Sequence, residues 1–472
     1  MKRLRLRFPV APTRLAIFGM AVVLLAFTST LSYQVNASHS QNQWAIVVFL
    51  GFLVGFGALF ALTMEPALAG WAQRFPVSPR WTTRLRVTAT LFMLVLAAIT
   101  FLLGIAFLHT ILFEPTSKAY WNDVISFSAA NAHATLDGRN PYTDDANFLP
   151  TLLRYPMAPA TPIQGPIFGY GYNYPLQPRV FEIDKAYLQH PAAYAAAFNP
   201  ATLHSYPALS FLLYIPLELF GWDILWLHLL AYGGIFCWLV MLAPKEQRGW
   251  IAFAAGASLT IVFNSLMVDT EVICLVFLLV AWHYRERRWV SAIALGLGCA
   301  FKQYCWLFAP LLLLDGWLQH GWREALKRAA IAGVTFLIPN APFILLNPHA
   351  WVTSVLLPIS GGLFPQGMGL VTLSLGRILP GWPPLFFTVL EALAFVGTLW
   401  LYIRYRTVLG ESVLLLALVP LAFAFRSPAN YFAIAPWLAL YAMLMLDRKR
   451  LASAAQQGQP VPAAIVAAPG AS

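Results

Sequence analysis

The chain is poor in charge. Only 10% of its 472 residues are Asp, Glu, Lys or Arg, against about 25% in an ordinary soluble domain. With 59% hydrophobic residues and a mean hydropathy of +0.67, that deficit excludes a water-soluble globule and indicates a polytopic membrane protein. Cysteine is scarce as well. Cys237, Cys274, Cys299 and Cys305 all lie inside apolar runs, which leaves no disulfide framework or zinc spacing and suits small buried hydrophobes. No small-residue cleavage site closes the apolar run that follows MKRLRLRFPVAPTR, so that run reads as a retained helix. No internal repeat marks a two-fold transporter architecture. Acids are fewer than bases, and the formal charge is +11. The Lys and Arg flank apolar runs, the pattern that orients membrane helices, so no nucleic-acid partner is expected.

What the chain does have is apolar runs near the length of a bilayer crossing, about 20 residues. They fall at 15–33, 44–64, 87–112, 205–220, 222–242, 250–267, 269–284, 289–314, 329–346, 385–403, 411–425 and 430–446. Several are short or broken by Pro, Asn or Asp, which is tolerated only where protein or a watery cavity satisfies the backbone. Arg3, Arg5, Arg7 and Arg14 set the N-terminus in the cytoplasm, and Arg448, Lys449 and Arg450 do the same for the C-terminus. The long segment 113–204 and the tips at 347–384 and 426–430 then fall outside. Two readings of 289–314 stay open: one span, which puts the basic loop Arg285–Arg288 outside, or a hairpin turning near Lys302, which keeps it inside. The expectation is an all-α bundle of about 11–13 membrane segments. It divides into an N-terminal helix pair with its cytoplasmic loop (1–86), a main transmembrane unit (87–446) and a disordered cytoplasmic tail (447–472).

Segment 120–137 reads as a helix lying along the outer membrane surface, with Trp121, Val124, Ile125, Ser128, Ala132 and Leu136 near one face. Gly138 suits its C-terminal cap and Pro141 forbids continuation. Asp123, in the first turn, favours the helix dipole. The loop beyond, with TPIQGPIFGYGYNYPLQP, is long enough to suggest function, although interfacial Tyr and Pro also serve as anchors.

Two cations stand where cations are costly. Lys302 interrupts SAIALGLGCAFKQYCW, and an ionised Lys at the bilayer centre costs about 2.5–3.5 kcal/mol on insertion scales. It must snorkel outward or meet an anion, for which Asp269 and Glu271 are available. Arg426 lies at an outside junction before Ser427-Pro428, near which the next helix starts with free amides at Asn430, and Arg suits a bidentate grip on phosphate. An Asp able to take a proton from a hydroxyl, with Lys and Arg able to stabilise a departing phosphate, suits group transfer from a lipid phosphate outside the cytoplasm.

On these residues the sequence resembles the GT-C superfamily of polyprenyl-phosphate-sugar-dependent glycosyltransferases, and most of all glycosyltransferase family 87. Asp123 precedes Gly138 by fifteen residues, and Pro141-Tyr142 follows. Tyr206-Pro207-Ala208-Leu209 stands near the family's Tyr-Pro-Pro-Leu. Gly296 and Gly298 lead to Lys302, and Ser427-Pro428 precedes Tyr431. The likeness covers roughly 90–446. Ala208 replaces a Pro, NSLMVDTE stands where Gly-Gln-Val-Asn is common, and two extra helices come first. The resemblance implies an inverting transferase in the bacterial inner membrane. It would move a mannose- or arabinose-like sugar from a polyprenyl-phosphate donor to an envelope glycan, lipid or protein acceptor on the external face. Asp123 would be the base, and Lys302 and Arg426 the donor-phosphate ligands. Gln303, Tyr142, Asn140, Tyr206, Asn430 and Asp269 would line the substrate, and apolar walls, with membrane lipids, would hold the polyprenyl tail. No cofactor is required, although some such enzymes use a divalent metal, for which Asp144 and Asp145 are the acids at hand. The alternatives are a transporter or flippase of lipid-linked glycans, or a non-catalytic subunit of an envelope-assembly complex.

Overall fold

A computed structural model describes residues 12–37, 42–60, 123–143, 161–190, 205–245, 248–256, 270–360 and 362–456, with isolated helical positions between 63 and 109. Among the described residues the regular structure is helical apart from one parallel pair of two-residue strands, β1 (Gln366–Gly367) and β2 (Arg426–Ser427), and two isolated bridges, Ile163 with Leu363 and Gly165 with Gly169. Ten helices carry the argument: α1 (Pro12–Ala37), α2 (Trp44–Phe52), α3 (Asp123–Leu136), α4 (Leu225–Leu242), α5 (Glu271–His283), α6 (Arg288–Phe301), α7 (Ala309–His320), α8 (Trp322–Leu346), α9 (Pro384–Leu409) and α10 (Ala435–Gln456). Among the described residues, five stretches can cross a membrane by length and apolar composition: Ile17–Ala37, Leu225–Leu242, Trp322–Leu346, Pro384–Thr407 and Ala429–Lys449. Their large apolar side chains stay uncovered on the outer faces, as at Leu230, Ile338, Leu345, Leu393 and Val396, which a water-soluble protein avoids. The last crossing is the central post, with 72% of its apolar window buried against 17% for Pro384–Thr407.

The chain doubles back twice in the middle. Arg285, in the turn between α5 and α6, has its Nε 3.6 Å from Asp315 Oδ2 near the end of α7, and His320 Nε2 lies 3.2 Å from Glu286 Oε2. The far ends meet as well, because Lys302 Nζ at the end of α6 is 2.5 Å from Glu271 Oε1 at the start of α5. The run 289–314 is therefore a hairpin, not a single span. Its apex is Lys302, where the backbone is extended (φ −154°, ψ 141°), followed by the tight turn Gln303–Leu307. The small residues of α6 allow this packing: a Cβ on Gly296 would lie 2.5 Å from Ala332 O of α8.

These contacts sort the bundle into two ends. One, the basic end, collects Arg285, Arg406 and Lys449 around the buried Asp315 and Glu411, with Arg288 and Arg328 paired to Glu324. The other carries Asp123, Lys302 and Arg426. Other expectations change. Segment 411–425 is not one helix but a chain of short turns, Gly410–Ser412, Val413–Leu416 and Pro420–Ala422, and 205–220 is two, Leu209–Leu212 and Ile215–Leu219. Pro216 and Pro420, which lack an N–H, sit in the first turns of their segments. The C-terminal helix runs on to Gln456, so the first part of the segment 447–472 is helical. The surface helix is the main correction. Val124, Ile125, Phe127, Ala129, Ala130, Ala132 and Ala134 of α3 are all buried, and Ile125, Ala129 and Ala132 join the main core, while Leu136 is exposed. Four Ala and two Ser among its fourteen residues let α3 pack on several sides at once, whereas the apolar stripe alone had suggested one. Trp121 lies outside the described residues.

Candidate functional site

The stop after α3 forms as its residues require. Gly138 takes φ +71°, a conformation that costs glycine little. Gly138 N donates to Thr135 O and Arg139 N to Ala134 O, at 3.1 and 2.8 Å, a glycine-terminated helix end of the Schellman type. Asn140 Oδ1 then accepts from Tyr142 N at 3.1 Å. The fully buried Tyr142 donates through its hydroxyl to Tyr206 O at 2.8 Å and packs edge-on against Phe211 and Phe343. The stop thus anchors α3 at one end and leaves Asp123 at the other.

Asp123 Oδ2 accepts two hydrogen bonds from one residue 38 positions away, Thr161: from its N–H at 2.7 Å and its hydroxyl at 2.5 Å. Oδ1 accepts none among the described residues. Burial pushes the Asp123 carboxyl above its ordinary value, against the opposing pull of the Thr161 hydrogen bonds and of the charges on Arg426 and Lys302. The loop that brings Thr161 is itself fixed. Gln164 Nε2 donates to Leu363 O at 2.9 Å, its Oε1 accepts from Gly171 N at 2.7 Å, and its backbone N donates to Gly362 O.

Arg426 is held by the strand pair, with Gln366 facing Arg426 and Gly367 facing Ser427. A Cβ on Gly367 would stand 2.6 Å from Ser427 Oγ, so glycine permits that register. Arg426 Nη1 donates to Phe364 O at 2.9 Å. Its remaining N–H groups hydrogen-bond nothing among the described residues, and the side chain is partly exposed. Lys302 differs. It is 2% exposed, donates to Thr270 Oγ1 at 2.8 Å and to Glu271 Oε1 at 2.5 Å, and lies over the rings of Tyr206 and Tyr431 at 5.0 and 5.6 Å. Asn430 Nδ2 donates to the same Glu271 oxygen at 3.1 Å. Glu271 Oε2, also buried, has no hydrogen-bond partner among the described residues. Lys302 has therefore met its anion inside the protein, and the anion is Glu271.

No family model matches this chain. Among curated proteins and solved structures, none matches either. The site therefore rests on its own geometry.

Of the residues singled out in the sequence, Asp123, Lys302, Arg426, Tyr206 and Asn430 converge. The charges of Lys302 and Arg426 act on Asp123, and Tyr206 lies in the field of both Lys302 and Asp123. Gln303 and Tyr142 stand beside the group but serve the frame. Gln303 Nε2 donates to Ser205 O and Val355 O, each at 2.6 Å, which consumes both amide protons, and Asn140 is spent in its turn. Asp269, Asp144 and Asp145 lie outside the described residues, and no group of three His, Cys, Asp or Glu converges among the described residues. Two members were not foreseen. Thr161 carried no signal, because nothing local joins it to Asp123. Tyr174 lies in the field of Arg426 and Asp123, and only the density of Tyr and Pro in its loop pointed that way.

Proposed function

We propose that the chain is a polyprenyl-phosphate-sugar-dependent glycosyltransferase of the GT-C kind. The carrying observation is one partly buried carboxylate with a free oxygen, Asp123 Oδ1, in the field of two cations of which one, Arg426, has N–H groups to spare. Asp123 accepts the proton of an acceptor hydroxyl as its oxygen attacks the anomeric carbon. The bond from that carbon to the donor phosphate oxygen breaks, and polyprenyl phosphate leaves with inversion. Arg426 grips the phosphate. The family likeness gives Lys302 that task too, but its ammonium is locked to Glu271 and capped by Tyr206 and Tyr431. Lys302 then acts through its field and by holding Asn430 and Tyr431 in place.

The positive-inside bias puts the basic end and both termini in the cytoplasm and the site at the external face of a bacterial inner membrane. The short helices joined at Lys302 and the broken segments complete 11–13 membrane elements. A mannose- or arabinose-like sugar and an envelope glycan, lipid or protein acceptor fit this placement. The test is transfer by purified full-length protein, offered a panel of polyprenyl-phosphate sugars. Asp123→Asn is expected to lower turnover by about 10²–10⁴-fold, the usual worth of a general base, while donor binding persists. Absence of transfer from every donor, or an unaltered rate in Asp123→Asn, would overturn the reading. A flippase would move lipid-linked glycan across vesicles equally well with either residue.

A further inference from the structure

The basic end holds a cavity of about 480 Å³ beneath Trp282, between α7, α9 and the start of the turns at Gly410. Its walls carry three fixed cations, Arg285, Arg406 and Lys449, and one wall acid, Asp315. A second acid, Glu411, lies behind the wall, fully buried. The acids are already spent. Glu411 accepts from Trp282 Nε1 at 2.5 Å, from Arg285 Nη2 at 2.9 Å and from Lys449 Nζ at 2.8 Å. Asp315 Oδ1 accepts from Gln319 Nε2 at 2.6 Å and from the Tyr402 hydroxyl.

The cations are not equally spent. Arg285 Nε is buried and hydrogen-bonds nothing among the described residues, with Asp315 Oδ2 3.6 Å away. Among the described residues Arg406, on the rim, donates only to Leu318 O, at 3.2 Å. Of the described residues that line the cavity or stand behind its wall, three cations face two acids, and Arg406, where the cavity opens, has no ion pair with either. Arg406 and Thr407 reach the cavity just past Tyr405, where α9 departs from helical geometry (φ −124°, ψ 20°). On the same helix Trp400, Leu401 and Ile403 are exposed to the bilayer. A polar, net-positive hollow that opens beside an apolar, lipid-facing helix matches a headgroup and its acyl chains. Basic pockets between membrane helices at the basic face of a membrane protein take anionic headgroups in this way, and the volume is that of a small-molecule site.

The geometry points to this cavity as a site for the phosphate headgroup of an anionic membrane lipid, separate from the Asp123 site and independent of the proposed transfer activity. Arg406 is its entrance ligand. Arg285, aimed by Glu411, forms its inner wall, and the more exposed Lys449, held by the same acid, stands at its side.

The test is native mass spectrometry of the full-length protein in neutral detergent, titrated with phosphatidylglycerol, phosphatidylcholine or inorganic phosphate. One phosphatidylglycerol is expected to be retained in clear preference to phosphatidylcholine. Arg406→Ala should weaken retention by about fivefold, the loss of one basic contact at a membrane surface, and Arg406→Lys should keep most of it. Arg404→Ala, two residues away and off the cavity wall, should leave it unchanged. The thermal midpoint of Arg406→Ala in lipid-free detergent should equal that of the parent, which separates lost binding from lost folding. Equal retention of the two lipids overturns the proposal, as does an equal loss from Arg404→Ala. Displacement of the lipid by inorganic phosphate at equal concentration assigns the cavity to a soluble anion and overturns it also.

Discussion

Asp123 draws its chemistry from a balance that a single hydroxyl can tip. Burial raises its carboxyl above the ordinary value, and a base must be ionised to act, so transfer should fall as pH drops through that raised value. Hydrogen bonds to the charged form work the other way. Thr161→Val removes the Oγ1 donor and keeps the backbone one, so the acid limb of kcat/KM should move to higher pH while the plateau above it survives. A limb that stays put, or moves down, would break the assignment of Asp123 as base. Lys302 and Glu271 make a second pair, nearly inaccessible, at 2.5 Å. Removing one partner leaves a buried charge alone, which costs roughly 3–5 kcal/mol. Lys302→Met should therefore lower the unfolding midpoint in detergent, and Lys302→Met with Glu271→Gln should recover much of the loss. If the double variant is no more stable than the single one, the two charges are not coupled. At this scale the sequence displayed the charged players, since Lys302, Arg426 and Asp123 stand out against apolar or turn-like surroundings. It could not display Thr161 or the pairing of Lys302 with Glu271, because both depend on contacts between distant segments.

Helix α6 shows what one element can and cannot announce. Its apolar run is long enough for a span when read with α7, and the Arg285–Asp315 and His320–Glu286 contacts, with the turn at Lys302, reveal the hairpin. At about 1.5 Å per residue, its 14 residues rise roughly 21 Å, short of a hydrocarbon core about 30 Å thick. That length accords with Lys302, at its end, lying buried within the protein. Close packing on α8 sets the position, and it needs Gly296. An added Cβ there would lie 2.5 Å from Ala332 O and 2.6 Å from Thr335 Cβ, whereas Gly333 on α8 has open space. Ala is the better helix former by about 1 kcal/mol, so Gly333→Ala should raise the unfolding midpoint or leave it level. Gly296→Ala should lower it, because overpacking against a backbone carbonyl costs about 1–3 kcal/mol. Thermal unfolding of the two variants side by side reads the difference. A gain in Gly296→Ala would mean the helices do not approach this closely.

For the whole molecule the decisive feature is that charge is separated between two ends. The membrane class was legible from composition alone. The hairpin was not, because hydropathy counts apolar residues and cannot see which ends meet. Its placement has a consequence for every loop at once: the α5–α6 turn must share a side with Arg328, Arg406 and Lys449, and the Gly-rich loop at 165–171 must share the other with Asp123. Glu286 and Tyr170 are both well exposed, at 64% for the side chain and 63% for the residue, so each can report its side. On a background in which exposed Cys237 is replaced by Ser, Tyr170→Cys should react with a membrane-impermeant maleimide added to intact cells. Glu286→Cys should react only once the membrane is opened. Labelling of both from one side would dismantle the hairpin and, with it, the placement of Lys302 beside Asp123. The reverse pattern would keep the hairpin and turn the molecule over, carrying the Asp123 site to the cytoplasm, where sugar transfer from a lipid phosphate loses its external setting.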